Sequence, residues 1–204
     1  MGTSRLESFS DGVMAVAITL LVLGISVPEP RAGASLGHEL GTRWPEYAAY
    51  AVSFMTIGII WINHHVMISR LREADHPILI LNLLLLMSIG ILPFATSLMA
   101  TYLRQSQGQT LAAVIYAGSL LVMSVFFSLL NHTILIKKPH LLREPLSLEG
   151  RRRIFRRAFA GVIPYAVATP LGVVSPYLTI GICALIAAFY MLPIASGTER
   201  VTVT

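Results

Sequence analysis

Apolar residues collect along this chain in six stretches, approximately 9–27, 45–69, 77–101, 110–136, 158–175 and 176–194, separated by short polar connectors. A helix needs about 20 apolar residues to cross a hydrocarbon core, and within lipid a helix satisfies every backbone donor and acceptor internally. The pattern therefore predicts an all-α integral membrane protein, a single six-helix transmembrane domain over residues 1–204. Pro164, Pro170 and Pro176 recur through the fifth and sixth stretches, which predicts kinks there and a tight hairpin at the last of them. Pro93 predicts a bend in the third.

Charge gives the spans a direction. With the amino terminus on the cytoplasmic side, the inner face receives Arg5, Arg70, Arg72, Lys137, Lys138, Arg143, Arg151, Arg152, Arg153, Arg156, Arg157 and Arg200, whereas the outer face receives Arg31, Arg43 and Arg104. That asymmetry predicts both termini cytoplasmic, and hence an even number of spans. Arg5 ahead of an apolar run, with Ala32-Gly33-Ala34 beyond it, resembles a signal peptide in outline. Asp11 and Gly12 interrupt the junction such a peptide needs, so the first span is expected to be retained.

Composition agrees: 55% of the residues are hydrophobic, 12% are charged and the mean hydropathy is +0.72. The net charge of +5 does not suggest nucleic acid, because the cations are confined to connectors instead of spreading over a solvated face. The cluster Arg151, Arg152, Arg153, Arg156 and Arg157 falls in the connector 137–157, where it is expected to set topology and meet anionic lipid headgroups. Voltage sensing would require those arginines within a span. Cys183, alone in the chain, excludes an intrachain disulfide and reads as a buried thiol. No nucleophile stands with a base at helical spacing and no His-Glu-x-x-His occurs, so no enzyme, cofactor or metal site is expected.

The first stretch holds the most informative placement. At 100° per residue, Gly12, Val16, Thr19, Leu20, Leu23 and Val27 share one stripe, which Arg5 and Phe9 extend, and Asp11 lies opposite. A carboxylate at this depth costs several kcal/mol unless it is paired or hydrated. Trp61, Asn63, His64, His65 and Asn82 fall near the same depth and are its expected partners. A histidine beside Asp11 could hold it structurally, or the two could relay protons in a proton-coupled secondary transporter. The adjacent His64 and His65 point about 100° apart on a helix and make a poor metal pair. Asn63-His64 and Asn131-His132, both near inner ends of even-numbered spans, hint at a relation between the two halves.

The string Arg5-x-x-x-Phe9-Ser10-Asp11, followed by Gly12-Val13-Met14-Ala15-Val16-Ala17-Ile18-Thr19 and set in a six-span layout, resembles the transmembrane protein 175 family of potassium channels in its bacterial single-repeat form. The resemblance implies a homotetramer in the bacterial plasma membrane, with four copies of the first helix around a potassium route. It implies an apolar constriction at Val16, with Leu20 and Leu23 as further candidates because valine is small for that place, and a selectivity role for Thr19. It also implies that Arg5, Ser10 and Asp11 tie the helix to its neighbours. No Thr-Val-Gly-Tyr-Gly string is present, so a carbonyl-ladder filter is excluded and a ring of apolar side chains that gates by dewetting is expected. Without the motif, the same stripe reads as ordinary packing or lipid contact.

Overall fold

The computed structural model describes residues 2–29, 33, 35–105 and 107–191. Its helices in chain order are α1 (Thr3–Leu20), α2 (Leu36–Thr42), α3 (Trp44–Ser69), α4 (His76–Gly90), α5 (Leu92–Tyr102), α6 (Gln109–His132), α7 (Leu148–Ala160), α8 (Val162–Val174) and α9 (Pro176–Met191). Five helical stretches are long and apolar enough to cross a membrane: Thr3–Gly24, Trp44–Ser69, His76–Tyr102, Gln109–Lys137 and Leu148–Val174. The apolar Pro176–Met191 is shorter. Arg31, Ala32, Ala34 and Arg200 lie outside the described residues, as does the end of the sixth predicted stretch.

The central helix is α6, which packs on α4, α5, α8 and α9. Ala113, Tyr116, Ala117, Leu120 and Met123 along it are fully buried. It approaches α8 closely, so that a Cβ on Gly172 would stand 3.0 Å from the Val114 nitrogen and 3.2 Å from the Ala113 carbonyl carbon. Glycine is what lets these two backbones meet. Across the bundle, the Ser53 hydroxyl lies 2.7 Å from that of Thr96 and 3.0 Å from that of Tyr116, linking α3, α5 and α6 through three fully or almost fully buried groups. Buried hydroxyls are costly unless bonded, and here each one has a partner.

Several boundaries differ from the sequence reading. The first helix begins at Thr3 and its regular part ends at Leu20, with a 3₁₀ turn over Leu21–Gly24, so Val27 falls beyond it. The third span divides at Ile91, because Pro93 at the second position of α5 cannot donate into the preceding turn. The largest correction concerns 137–157, read as a connector. It becomes helical again at Leu148, where Ser147 accepts the Gly150 N–H at 3.1 Å as an N-cap, and α7 continues to Ala160. The run 158–175 is consequently divided at Gly161, and α8 alone is only about 20 Å long. Ser175 is extended, and α9 starts at Pro176, where the hairpin was expected.

Candidate functional site

Helix α1 has two unlike faces. Thr3, Leu6, Ser10, Met14, Ala17 and Leu21 recur at three- and four-residue spacing and are buried against the rest of the chain. Phe9, Val16, Leu20 and Leu23 are 54%, 57%, 44% and 77% exposed. Arg5, Gly12 and Thr19 are exposed beside them. The stripe read from the sequence is thus, from Arg5 to Leu23, the face that the first helix and its 3₁₀ turn direct away from the rest of the chain.

The buried face is fixed by a polar chain crossing three helices. Asn82 on α4 donates its amide N–H to the Ser10 hydroxyl at 3.0 Å, and Ser10 donates in turn to the Leu6 carbonyl at 2.8 Å. The Asn82 carbonyl oxygen is therefore left facing Nε2 of His64 on α3, at 2.8 Å. Because that oxygen can only accept, Nε2 carries the hydrogen. Ser10, His64 and Asn82 are all 0% exposed. Nδ1 of His64 is buried without a hydrogen-bond partner.

The acid sits at the edge of this chain and is met by a different donor. The Trp61 indole N–H reaches Asp11 Oδ1 at 2.9 Å. His65 pairs instead with Glu7, Nδ1 to Oε1 at 2.6 Å. The expected pairing of Asp11 with a histidine is therefore corrected: His64 is directed to Asn82, one helix further in, and His65 to Glu7. A 100° step between adjacent helical residues sends the two imidazoles to different neighbours. Asn63, also expected near Asp11, turns back on its own helix, donating to the Ile59 carbonyl at 2.8 Å. Glu7 was not singled out from the sequence, although its place four residues before Asp11 was the available signal.

Arg5, exposed on the same face, makes no hydrogen bond or ion pair among the described residues. Thr19 is exposed and donates its hydroxyl hydrogen to the Val16 carbonyl at 2.8 Å. Its oxygen lone pairs then face outward, free to accept from water or meet a cation. No group of three or more metal-ligating side chains occurs among the described residues.

At the end of the bundle that carries the amino terminus, the start of α1 is stitched to two connectors. Gly2 bridges to Glu73, and Leu71 to Leu142. The Arg143 guanidinium donates from Nε to the Leu71 carbonyl at 2.7 Å and from Nη2 to the Thr3 hydroxyl at 3.2 Å. Of the arginine cluster, Arg152, Arg153, Arg156 and Arg157 are exposed on α7. Arg151 folds back, donating to the Leu135 carbonyl at 3.1 Å.

Residues 5–93 match the family described as endosomal/lysosomal potassium channel TMEM175. A potassium channel of Streptomyces collinus is 38% identical, with 92% of this chain and 91% of that protein aligned. The crystal structure of a lysosomal potassium-selective channel TMEM175 homolog from Chamaesiphon minutus superposes with a TM-score of 0.84 at 34% identity, covering 96% of this chain and 98% of that one. An endosomal/lysosomal proton channel TMEM175 of Mus musculus is 30% identical over 81% of this chain and 35% of its own length.

Proposed function

The chain belongs to the TMEM175 family, a family of channels and not of enzymes, and from that premise we infer that it is a potassium-selective leak channel, a homotetramer whose four α1 helices surround the ion route. One observation carries the reading. The helix that is tied down through Ser10 and Asp11 leaves Val16, Thr19, Leu20 and Leu23 uncovered on its other face, which is the arrangement a pore-lining helix needs.

In the assembled tetramer, Val16, Leu20 and Leu23 form successive apolar rings. Water leaves a narrow apolar constriction spontaneously, and a small outward movement of the helices rewets it. The four Thr19 hydroxyls, their hydrogens directed to Val16 carbonyls, offer oxygens to a partly dehydrated cation. Potassium gives up its hydration shell more readily than sodium and is favoured there. Arg5 and Phe9, which extend the exposed face, meet the neighbouring subunit, while Ser10, Asp11, Trp61, His64, His65 and Asn82 hold the helix from behind.

Residues 1–204 act as one six-span domain, α7–α8 serving as the fifth span and α9 as the sixth, with both termini cytoplasmic. The membrane is the bacterial plasma membrane. Arg43 pairs with Glu46 at 3.1 Å and Arg104 donates to the Thr42 carbonyl, so these two outer cations are internally engaged. Arg152, Arg153, Arg156 and Arg157 are free to meet anionic headgroups at the inner surface.

The decisive measurement is the reversal potential of the purified protein in planar bilayers under opposed potassium and sodium solutions. A passive current reversing near the potassium equilibrium potential is expected. Transport that occurs only with a coupled proton flux would replace the channel with a carrier.

A further inference from the structure

A cavity of about 230 Å³ opens between the end of α3 and the segment that follows α6, lined by Ser69, Arg70, Leu142, Arg143, Glu144 and Leu146. It lies outside the α1 stripe and the Ser10–Asn82–His64 chain. Its two cations are unevenly engaged. Arg143 spends Nε on the Leu71 carbonyl and Nη2 on Thr3, which leaves Nη1 without a hydrogen bond among the described residues. The Arg70 side chain has no hydrogen bond or ion pair there at all. It is nevertheless half-buried, and loss of water pulls its guanidinium below the usual arginine range. Burying part of a cation without a counter-charge is unfavourable, and an anion seated in the cavity removes that cost.

The donor set says which anion fits. Two guanidiniums present planar, paired N–H donors suited to phosphate oxygens. Ser69 donates its own hydrogen to the Val66 carbonyl at 3.0 Å, so it adds no donor to an anion. Glu144, exposed at the rim, repels a bare anion but accepts from a hydroxyl or amine. We propose that this cavity binds a phosphate group carrying a neighbouring hydroxyl or ammonium, with Arg70 and Nη1 of Arg143 on the phosphate and Glu144 on the adjacent donor. Such chemistry is offered both by a glycerophospholipid headgroup and by a free glycerol phosphate. A bound phosphate also holds Arg143 in the orientation that reaches Thr3 on the first turn of α1.

The test is binding, measured on the purified full-length protein by the ligand-dependent rise in melting temperature, so it does not depend on ion flux. Two glycerol-bearing probes are titrated, soluble glycerol 3-phosphate and short-chain phosphatidylglycerol, with inorganic phosphate as the reference. Saturable stabilisation by either supports the site; response to both identifies the glycerol phosphate group as sufficient, and response to the lipid alone identifies the headgroup in its bilayer setting. Arg70→Gln should weaken the apparent affinity about tenfold, the value of one charge-assisted hydrogen bond. Glu144→Gln, at an exposed position where folding is not at risk, should weaken glycerol 3-phosphate while strengthening inorganic phosphate. The site is overturned if neither probe stabilises the protein, or if Glu144→Gln leaves the preference between glycerol 3-phosphate and inorganic phosphate unchanged. Failure of the channel reading would appear separately, as absent passive current with phosphate binding intact.

Discussion

The indole N–H of Trp61 donates to the Asp11 carboxylate at 2.9 Å, so the acid that opens the first helix is held by a neutral donor from α3 and not by an opposite charge. Trp61 is 44% exposed and Asp11 half-buried, so the pair sits at the margin of the subunit. On the proposed reading, a group held in this way acts as a strut. A proton-coupling acid would instead have to exchange its proton with a partner, and the nearest histidines are committed to Asn82 and Glu7.

Asp11→Asn should therefore preserve passive potassium current, because the amide oxygen still accepts from Trp61. Asp11→Leu and Trp61→Phe both remove the bond, and each should lower stability by about 1 kcal/mol. Thermal melts in detergent, paired with flux from proteoliposomes, read the two effects. Loss of all transport in Asp11→Asn with assembly intact would favour the proton-coupled reading.

Asn82→Ala should be more damaging. It strips the acceptor from Nε2 of a fully buried His64, whose Nδ1 already lacks a partner, and it opens a small void between α1, α3 and α4. The expected cost is about 2–4 kcal/mol. A melting temperature within a degree of the unaltered protein would show that the polar chain does not hold α1.

On the proposed tetrameric reading, Thr19→Ala should leave conduction in place and narrow the preference for potassium over sodium, since it would remove four oxygens from the route without adding bulk. Bi-ionic reversal potentials read this directly, and an unchanged ratio would take Thr19 out of selectivity. On the same reading, Val16→Ser would make one apolar ring wettable and should raise basal flux.

Acid should weaken the junction between α4 and the segment after α6. The Asp75 carboxyl feels desolvation, which pushes its pKa up, but the hydrogen bond from Lys138, the Ile78 N–H at 3.3 Å and the charge of Lys138 together hold it below its ordinary value of 3.8. A carboxyl whose folded pKa is depressed contributes its full stabilisation above its unfolded pKa and loses it as pH falls through the folded one. Melting temperature should thus decline below about pH 4, and Lys138→Met should flatten that decline. Equal acid limbs in both proteins would contradict the assignment.

Much of this protein was legible before any coordinates. The apolar runs gave the helices, since a helix in lipid satisfies its own backbone and run length alone identifies it. The 100° step separated Val16, Thr19, Leu20 and Leu23 from the side that carries Ser10, because that periodicity is a property of one helix and needs no partner. The break at Pro176 followed from a missing N–H, and Pro93, read as a bend, instead opens a new helix. Periodicity gave no warning, however, of the helix over Leu148–Ala160, whose arginines read as a connector in a scan for apolar length.

What the tertiary structure alone decided was which polar groups meet. Counting residues brought His64, His65, Asn82 and Trp61 near the level of Asp11, yet level does not fix the rotation of one helix about its axis relative to another. That rotation sent His64 to Asn82, His65 to Glu7 and Trp61 to Asp11. The close crossing at Gly172 is of the same kind. A Cβ on Gly58, Gly90 or Gly181 would meet nothing within 4 Å, and one on Gly118 only a Thr169 methyl at 3.9 Å. A sequence specifies the faces of each helix, whereas the contact between two faces is a joint property of both, settled only when they pack.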